Sequence, residues 1–365
     1  MRSILITGGA GFIGANFVHY WRRTHPSDDL VVLDALTYAG NLANIDALLD
    51  DRCQFVRGSI GDAKLVPALL RDHQIDTVVH FAAESHVDRS ISGPDAFVQT
   101  NVVGTHNLLS ACRGYWLEGD GRPHRFHNVS TDEVFGMLGP DDPAFTERTN
   151  YAPSSPYSAS KAAADHLVLA YHHTYGLEVT ISNCSNNYGP YHFPEKLIPL
   201  TIVNLLTGAQ VPIYGEGLNI RDWLHVSDHC RAIDRVLADG KTGQTYNVGG
   251  NCEVTNIDVV RTVCSTIDDA FAAEPDLKQR FPDAHAATGK PSTSAIVSVA
   301  DRPGHDFRYA IDATKIQGEL GFQCEQNFTT GLTDTVRWYL DNESWWRSVM
   351  DGSYRDYIRD AYGDL

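Results

Sequence analysis

The chain has 365 residues, 42% hydrophobic and 21% charged, a globular balance that excludes global disorder. Its 29 basic and 46 acidic residues give a net charge of −17. That argues against a general nucleic-acid binder, which needs a broad basic face. No apolar run approaches the roughly 18 residues of a membrane span. The N-terminal MRSILITGGAGFIG lacks the cleavable small-residue site of a signal peptide, so a cytoplasmic protein with no membrane partner is expected. The seven cysteines are scattered and odd in number, with no C-x-x-C pair, and read as reduced thiols rather than a disulfide or zinc framework.

At roughly 150 residues per domain the length suggests two or three units. The first half alternates. SILIT at 3–7 is a short apolar strand, followed by glycines and a helix over 11–23. LVVL at 30–33 is a second strand, ending at Asp34. Strands over 54–57 and 77–81 flank a helix over 64–73. A helix over 100–116 precedes a strand over 125–130, and a helix over 157–175 precedes a strand over 178–184. Strands alternating with helices imply right-handed βαβ units and a parallel sheet covered on both faces.

After residue 186 the pattern loosens into Tyr-, Pro- and Gly-bearing loops, with helices over 198–207, 227–238, 256–271 and 329–342. The stretch 272–294 is polar and rich in Pro, Ala and Thr, and reads as an exposed excursion. The expected fold is α/β: a doubly wound parallel sheet of Rossmann type with a smaller C-terminal substrate-binding lobe. Residues 1–185 would form the dinucleotide-binding domain, with some later segments returning to it, and 186–365 mainly the lobe. No internal repeat is visible.

Thr7-Gly8-Gly9-Ala10-Gly11-Phe12-Ile13-Gly14 sits between the first strand and the first helix. Alone, three glycines are an ordinary tight turn. At a strand-to-helix junction they form a dinucleotide fingerprint. Gly8 permits the turn, Gly11 lets backbone approach a pyrophosphate, and Gly14 lets helix pack close to strand. The helix N-terminus attracts phosphate charge. Asp34 closes the second strand twenty residues after Gly14. A carboxylate there accepts from ribose hydroxyls and repels a 2′-phosphate, so NAD is expected over NADP.

Tyr157 and Lys161 are four apart, on one helical face. An ammonium beside a phenol favours the phenolate and makes tyrosine a usable base. A chance surface pair is the bland alternative, outweighed by the fingerprint upstream. Ser130-Thr131-Asp132-Glu133 falls at a strand end, where sites form in such sheets. Two adjacent carboxylates can divide acid and base duties if their environments separate them. Lys196, Arg221 and Arg302 come from three loops and could converge on a diphosphate. His192, His225 and His229 lie in loops without a carboxylate cluster, and no metal is expected.

The glycine loop with Tyr-x-x-x-Lys resembles the extended short-chain dehydrogenase/reductase superfamily. The blocks STDEVFG, PYSASKAAADH, NCSNNYGPYHFPEKLIPL, RDWLHVSDHCRA and DRPGHDFRYAID, with FAAESHVDRSI upstream, resemble its dTDP-glucose 4,6-dehydratase family nearly end to end. Phe135 departs from the family's usual tyrosine, and the loop over 137–152 is short beside many bacterial members.

The resemblance implies an NAD-dependent lyase acting on a dTDP-sugar. Tyr157 would be the base at the sugar C4 hydroxyl, and Lys161 would hold Tyr157 and the nicotinamide ribose. Thr131 would bond the C4 oxygen, Asp132 would protonate the departing C6 oxygen, and Glu133 would remove the C5 proton. The cofactor site would comprise Gly8, Gly11, Phe12, Ile13, Gly14, Asp34, Ser59, Ile60, Ala82, Thr100, Tyr157, Lys161 and Asn187. Substrate contacts would be Glu84, Thr131, Asn186, Lys196, Leu197, Arg221, Asn256, Arg302 and His305. Relatives pair the helices corresponding to 100–116 and 157–175, so a homodimer is expected. An epimerase or a dehydratase of another nucleotide sugar is the nearest rival, and the Asp132-Glu133 pair speaks against an epimerase. A non-catalytic protein of the same fold would be expected to lack Tyr157, Lys161 or the carboxylates.

Overall fold

The computed structural model describes residues 1–301 and 304–350. Strands β1 (Ser3–Thr7), β2 (Asp29–Asp34), β3 (Cys53–Arg57), β4 (Thr77–His80), β5 (Arg125–Thr131) and β6 (Val179–Cys184) arise where the sequence is most continuously apolar or β-branched. Every residue of β4 and β6 is buried, as a parallel strand covered on both faces requires. These six join β10 (Gln244–Val248) in one parallel sheet of order β10-β6-β5-β4-β1-β2-β3. The order reverses between β1 and β4, where a doubly wound sheet opens a crevice at its carboxyl edge. Thr7 pairs with Leu33 on one side and His80 on the other, so the three strand ends emerge level.

Helix α1 (Phe12–Thr24) packs Ala15, Phe17, Val18 and Trp21 onto β1 and β2. Helix α2 (Leu65–Asp72) covers the other face. From Pro94 the chain runs helical to a break at Gly119, where the backbone leaves helical φ/ψ. After a short α3 (Val87–Ser92), α4 (Pro94–Phe97) and α5 (Thr105–Cys112) are joined and extended by wide π-type turns over Val98–Gly104 and Arg113–Asp120. The helix thus begins six residues before the expected residue 100. Pro94 at its first turn explains this, since proline needs no amide partner there.

Helix α6 (Pro156–Tyr175) has both ends written locally. Ser155 and Ser158 form a reciprocal cap, Pro156 opens the first turn, and Gly176 closes the helix at φ +80°.

The later chain builds a second core and also returns to the first. Helix α7 (Leu197–Thr207), α9 (Asn256–Ala273) and α12 (Phe328–Asp341) enclose one apolar cluster. Around them lie β7 (Asn186–Tyr188), β9 (Ile220–His225) and β11 (Glu253–Thr255) in one sheet, and β8 (Val211–Tyr214) paired with β12 (Ile296–Val299). Helix α8 (Val226–Asp239) instead sets Val226, Cys230, Ile233 and Leu237 into the core beneath α1. It delivers β10, which pairs with β6.

The stretch 272–294 is exposed over most of its length, as its composition suggests, but it is anchored in the second core. Around α10 (Leu277–Arg280), Leu277, Phe281 and Ala284 are spaced so that they enter the second core, at 2%, 1% and 0% exposure. Its polar residues lie on the outer side, and averaged composition hides that stripe. Helix α11 (Thr314–Leu320) lies along β10, and α13 (Glu343–Val349) buries Trp346 against Phe281. No helix among the described residues is long and apolar enough to cross a membrane.

Candidate active site

A cavity of about 510 Å³ opens at the carboxyl ends of β1, β2, β4 and β5, and the second lobe closes it. On its cofactor side the glycines are where backbone contact demands them. Gly8 sits at φ +70°, and a Cβ there would lie 2.6 Å from the Ala82 nitrogen. A Cβ on Gly14 would lie 2.2 Å from the Gly8 oxygen, so α1 meets the loop only because Gly14 has none. A Cβ on Gly11 would meet nothing nearer than the Gly8 oxygen at 3.4 Å, leaving a cradle that a side chain would fill. Gly11 caps α1 without a side-chain hydrogen bond, so the first amides of the helix are left for an anion.

Asp34 accepts from the Ala10 amide at 2.9 Å through Oδ2 and from the Leu36 amide at 2.8 Å through Oδ1. Burial pushes its carboxyl up, while the two amides pull it down. The cradle, the helix end and this anchored carboxylate together fit a dinucleotide whose adenosine ribose carries no phosphate.

At the end of β5, Thr131 caps a short turn over Asp132–Phe135. Its Oγ1 accepts from the Glu133 amide at 3.3 Å and donates to Asp132 Oδ1 at 3.4 Å. Asp132 is 1% exposed, and its Oδ2 has no hydrogen-bond partner. Burial, with Glu133 and Asp222 nearby, drives its carboxyl well above the usual range, against Arg221. These surroundings bias Asp132 towards its protonated form. Phe135, in place of the family's tyrosine, packs between Phe145 and Tyr151.

Tyr157 and Lys161 occupy the first turns of α6, both buried. Lys161 Nζ donates to the Val129 carbonyl at 2.8 Å. The Thr131 side chain lies near the Tyr157 hydroxyl. Its hydroxyl is pushed well up, by burial first and Glu133 second. This is opposite to the direction expected from the lysine: burial and a carboxylate outweigh an ammonium that is itself drawn down by burial. Thr131 pulls Tyr157 the other way.

Asp165 was missed, although it continues the four-residue spacing of Tyr157 and Lys161. It is fully buried and accepts from Asn128 at 2.8 Å, Ser130 at 2.7 Å and Tyr151 at 3.0 Å. Its charge holds Lys161 up against desolvation.

On the substrate side, Lys196 precedes α7 and donates to the Ser85 carbonyl at 3.3 Å. Arg221, from β9, is held by the carbonyls of Ile220 at 2.7 Å, Asp306 at 2.9 Å and Phe307 at 3.3 Å, with its guanidinium 4.3 Å from the Tyr309 ring centre. His305 bonds Asp301 at 2.6 Å. Burial pushes the Glu84 carboxyl up. Asn187 accepts from the Nδ1 of His229 at 2.9 Å, and burial draws that imidazole down to about 3, so it is neutral.

All the cofactor and substrate residues anticipated above line this one cavity except Arg302, which lies outside the described residues. Among the wall residues not anticipated are Tyr38, His86 and Glu195. Buried Glu195 accepts from Arg89 Nε at 3.3 Å and lies 4.0 Å from His86, while the Arg89 guanidinium stands 4.0 Å from the centre of the Tyr38 ring. These residues come from three distant segments, and no local spacing announces them.

A family profile described as GDP-mannose 4,6 dehydratase matches residues 5–335. The chain is 56% identical over 359 residues to a dTDP-glucose 4,6-dehydratase of Xanthomonas campestris pv. campestris, covering 97% of this chain and 98% of that one. It is similar in structure to DesIV, the dTDP-glucose 4,6-dehydratase of Streptomyces venezuelae solved with NAD, with TM-score 0.83 and 45% identity over 95% of this chain and all of that one. The dTDP-glucose 4,6-dehydratase of Bacillus anthracis, solved in complex with NAD, aligns with TM-score 0.82 and 43% identity over 96% of this chain and all of that one.

Proposed function

The chain belongs to the dTDP-glucose 4,6-dehydratase family of extended short-chain dehydrogenases, and from that premise we propose the division of labour by which its cavity dehydrates dTDP-glucose. It is an NAD-dependent hydro-lyase of deoxysugar biosynthesis, converting dTDP-glucose to dTDP-4-keto-6-deoxy-glucose and water. The observation that carries the assignment is the Asp132-Glu133 pair at the end of β5, with Asp132 buried and Glu133 half-buried, close to the buried Tyr157.

When bound, NAD supplies a positively charged ring that accepts the C4 hydride and later returns it to C6. The chain supplies the proton transfers. Tyr157 takes the proton of the C4 hydroxyl, with Thr131 bonded to the same oxygen and Lys161 beside the base. Once C4 is a ketone, the C5 hydrogen is acidic; Glu133 removes it for the elimination and gives a proton back to C5 when C6 is reduced. Hydroxide is a poor leaving group, and protonated Asp132 delivers a proton to the C6 oxygen. Arg221, Lys196 and His305 hold the diphosphate end, with Arg302 assigned there from its motif. Residues 1–185, with α8 and β10, serve the cofactor, and the remainder of 186–365 serves the sugar nucleotide. Incubating purified protein with dTDP-glucose should yield the alkali-induced ultraviolet absorbance of a 4-keto sugar. UDP- and GDP-sugars giving equal yields would contradict the dTDP preference.

Asp34→Ala should weaken NAD binding and narrow its advantage over NADP, because the carboxylate faces the ribose hydroxyls and repels a 2′-phosphate. Calorimetric titration with both dinucleotides checks this, and equal binding of the two by unmodified protein would contradict it.

The working form we assign is a cytoplasmic homodimer. Seven free cysteine thiols suit a reducing compartment. Val98 and Val103 remain 48% and 46% exposed on the helix beside α6, which a two-fold pairing would cover. Light scattering at micromolar concentration should return twice the chain mass, and a monomer mass would reject the dimer.

A further inference from the structure

Helix α13 reaches the dinucleotide loop through one buried asparagine. Asn44 is 2% exposed and lies on the long connection after β2. Its side chain is used at both ends. Nδ2 donates to the Ala10 carbonyl at 2.8 Å, and Oδ1 accepts from the indole Nε1 of Trp345 at 2.7 Å. Its own carbonyl is bonded by His19 Nε2 at 2.8 Å, on α1. The Ala10 carbonyl also accepts from the Asn41 amide at 3.0 Å, and the Ala10 amide donates to Asp34 at 2.9 Å. A continuous relay therefore runs from α13 through Asn44 and Ala10 to the carboxylate that faces the ribose.

The indole is itself fixed by aromatic packing. Its centroid lies 4.9 Å from Trp338 and 5.9 Å from Tyr191. Tyr191 sits at φ +64°, a left-handed conformation unusual outside glycine, and stacks on His19 at 5.3 Å. Next to it, His192 stacks on Phe12 at 4.0 Å, in the first turn of α1.

We propose that Trp345 is a positioning residue for the cofactor, holding Ala10 and Asp34 in register through Asn44 so that NAD is retained between turnovers. The proposal rests on the cofactor assignment above. A reaction that returns its hydride needs no exchange of dinucleotide, so a loop fixed from outside costs nothing in turnover. Trp345→Phe keeps an aromatic body but removes the Nε1 donor, leaving the buried Asn44 oxygen unsatisfied. Loss of one partner of a buried acceptor corresponds to roughly tenfold in affinity.

The test uses the full chain as wild type, Trp345→Phe, Asn44→Ala and the double variant. NAD remaining after gel filtration and the NAD dissociation constant are measured, with kcat at saturating NAD alongside. The relay predicts about tenfold weaker NAD for Trp345→Phe with kcat within twofold. It also predicts little further loss when Trp345→Phe is added to Asn44→Ala, since the two changes break one path. Wild-type retention in Trp345→Phe overturns the proposal, as does an undiminished tenfold loss in the Asn44→Ala background. Should Trp345→Phe not fold, Asn44→Ala decides: weakened NAD supports the relay and wild-type retention overturns it. Wild-type protein that binds no NAD overturns the cofactor reading, and the relay with it.

Discussion

Tyr157→Phe should lower turnover by roughly 10²–10⁴-fold, the span of one general base, and the loss should fall on the oxidation itself. The variant keeps the ring, which stands edge-on to Phe97 at 6.3 Å, so packing changes little. What disappears is the phenol oxygen near Thr131. Burial and Glu133 hold that hydroxyl protonated, so the oxidation step should accelerate as pH rises through its titration. Removing a nearby negative charge favours the phenolate. Glu133→Gln should therefore move that rise to lower pH, even while it blocks the later step. Pre-steady-state rates of oxidation measured across pH in both proteins check the direction, and a shift to higher pH would contradict it.

Glu133→Gln and Asp132→Asn should each cut product formation by about 10²–10⁴-fold while leaving C4 oxidation largely intact. Oxidation needs only a base and a hydride acceptor. Elimination across C5–C6 needs a second base and an acid, and the adjacent Asp132 and Glu133 on the cavity wall can supply them. Asp132 carries the proton because its surroundings make the anion costly. The same cost has a stability signature. A carboxyl whose folded pKa is raised above its unfolded value stabilises the fold at low pH and loses that contribution as pH climbs through the folded value. Asp132→Asn cannot lose it. The variant should melt no lower than wild type, with an advantage that grows towards alkaline pH. A lower melting temperature at every pH would show that the carboxylate serves the fold instead.

The parts of this site legible in the sequence are those written in contiguous residues. Gly8 to Gly14, Asp34 at the end of β2, Thr131 to Glu133, and Tyr157 with Lys161 each combine a local geometry with a strand end. Asp165 was legible in principle, one helical turn further on, but its meaning depends on Asn128, Ser130 and Tyr151 converging from elsewhere. The direction of the Tyr157 shift was not legible at all. It depends on burial and on Glu133, and neither appears in a Tyr-x-x-x-Lys spacing. Residues 272–294 are mostly exposed as read, but the anchoring stripe of Leu277, Phe281 and Ala284 was not legible, because composition averages over it. The return of α8 and β10 to the first core, and the contact of Trp345 with Asn44, join residues with no sequence relation. Pairings of that length follow from the assembled sheet and its covering helices.

The central claim is that oxidation and elimination belong to different residues of one cavity. Mixing NAD-loaded enzyme with dTDP-glucose in a single turnover, and following the near-ultraviolet absorbance of the reduced cofactor, separates the two. Wild type should show a transient rise and fall. Glu133→Gln and Asp132→Asn should show a rise that persists, and Tyr157→Phe little rise at all. A normal rise and fall in Glu133→Gln, or a normal rise in Tyr157→Phe, would contradict the account.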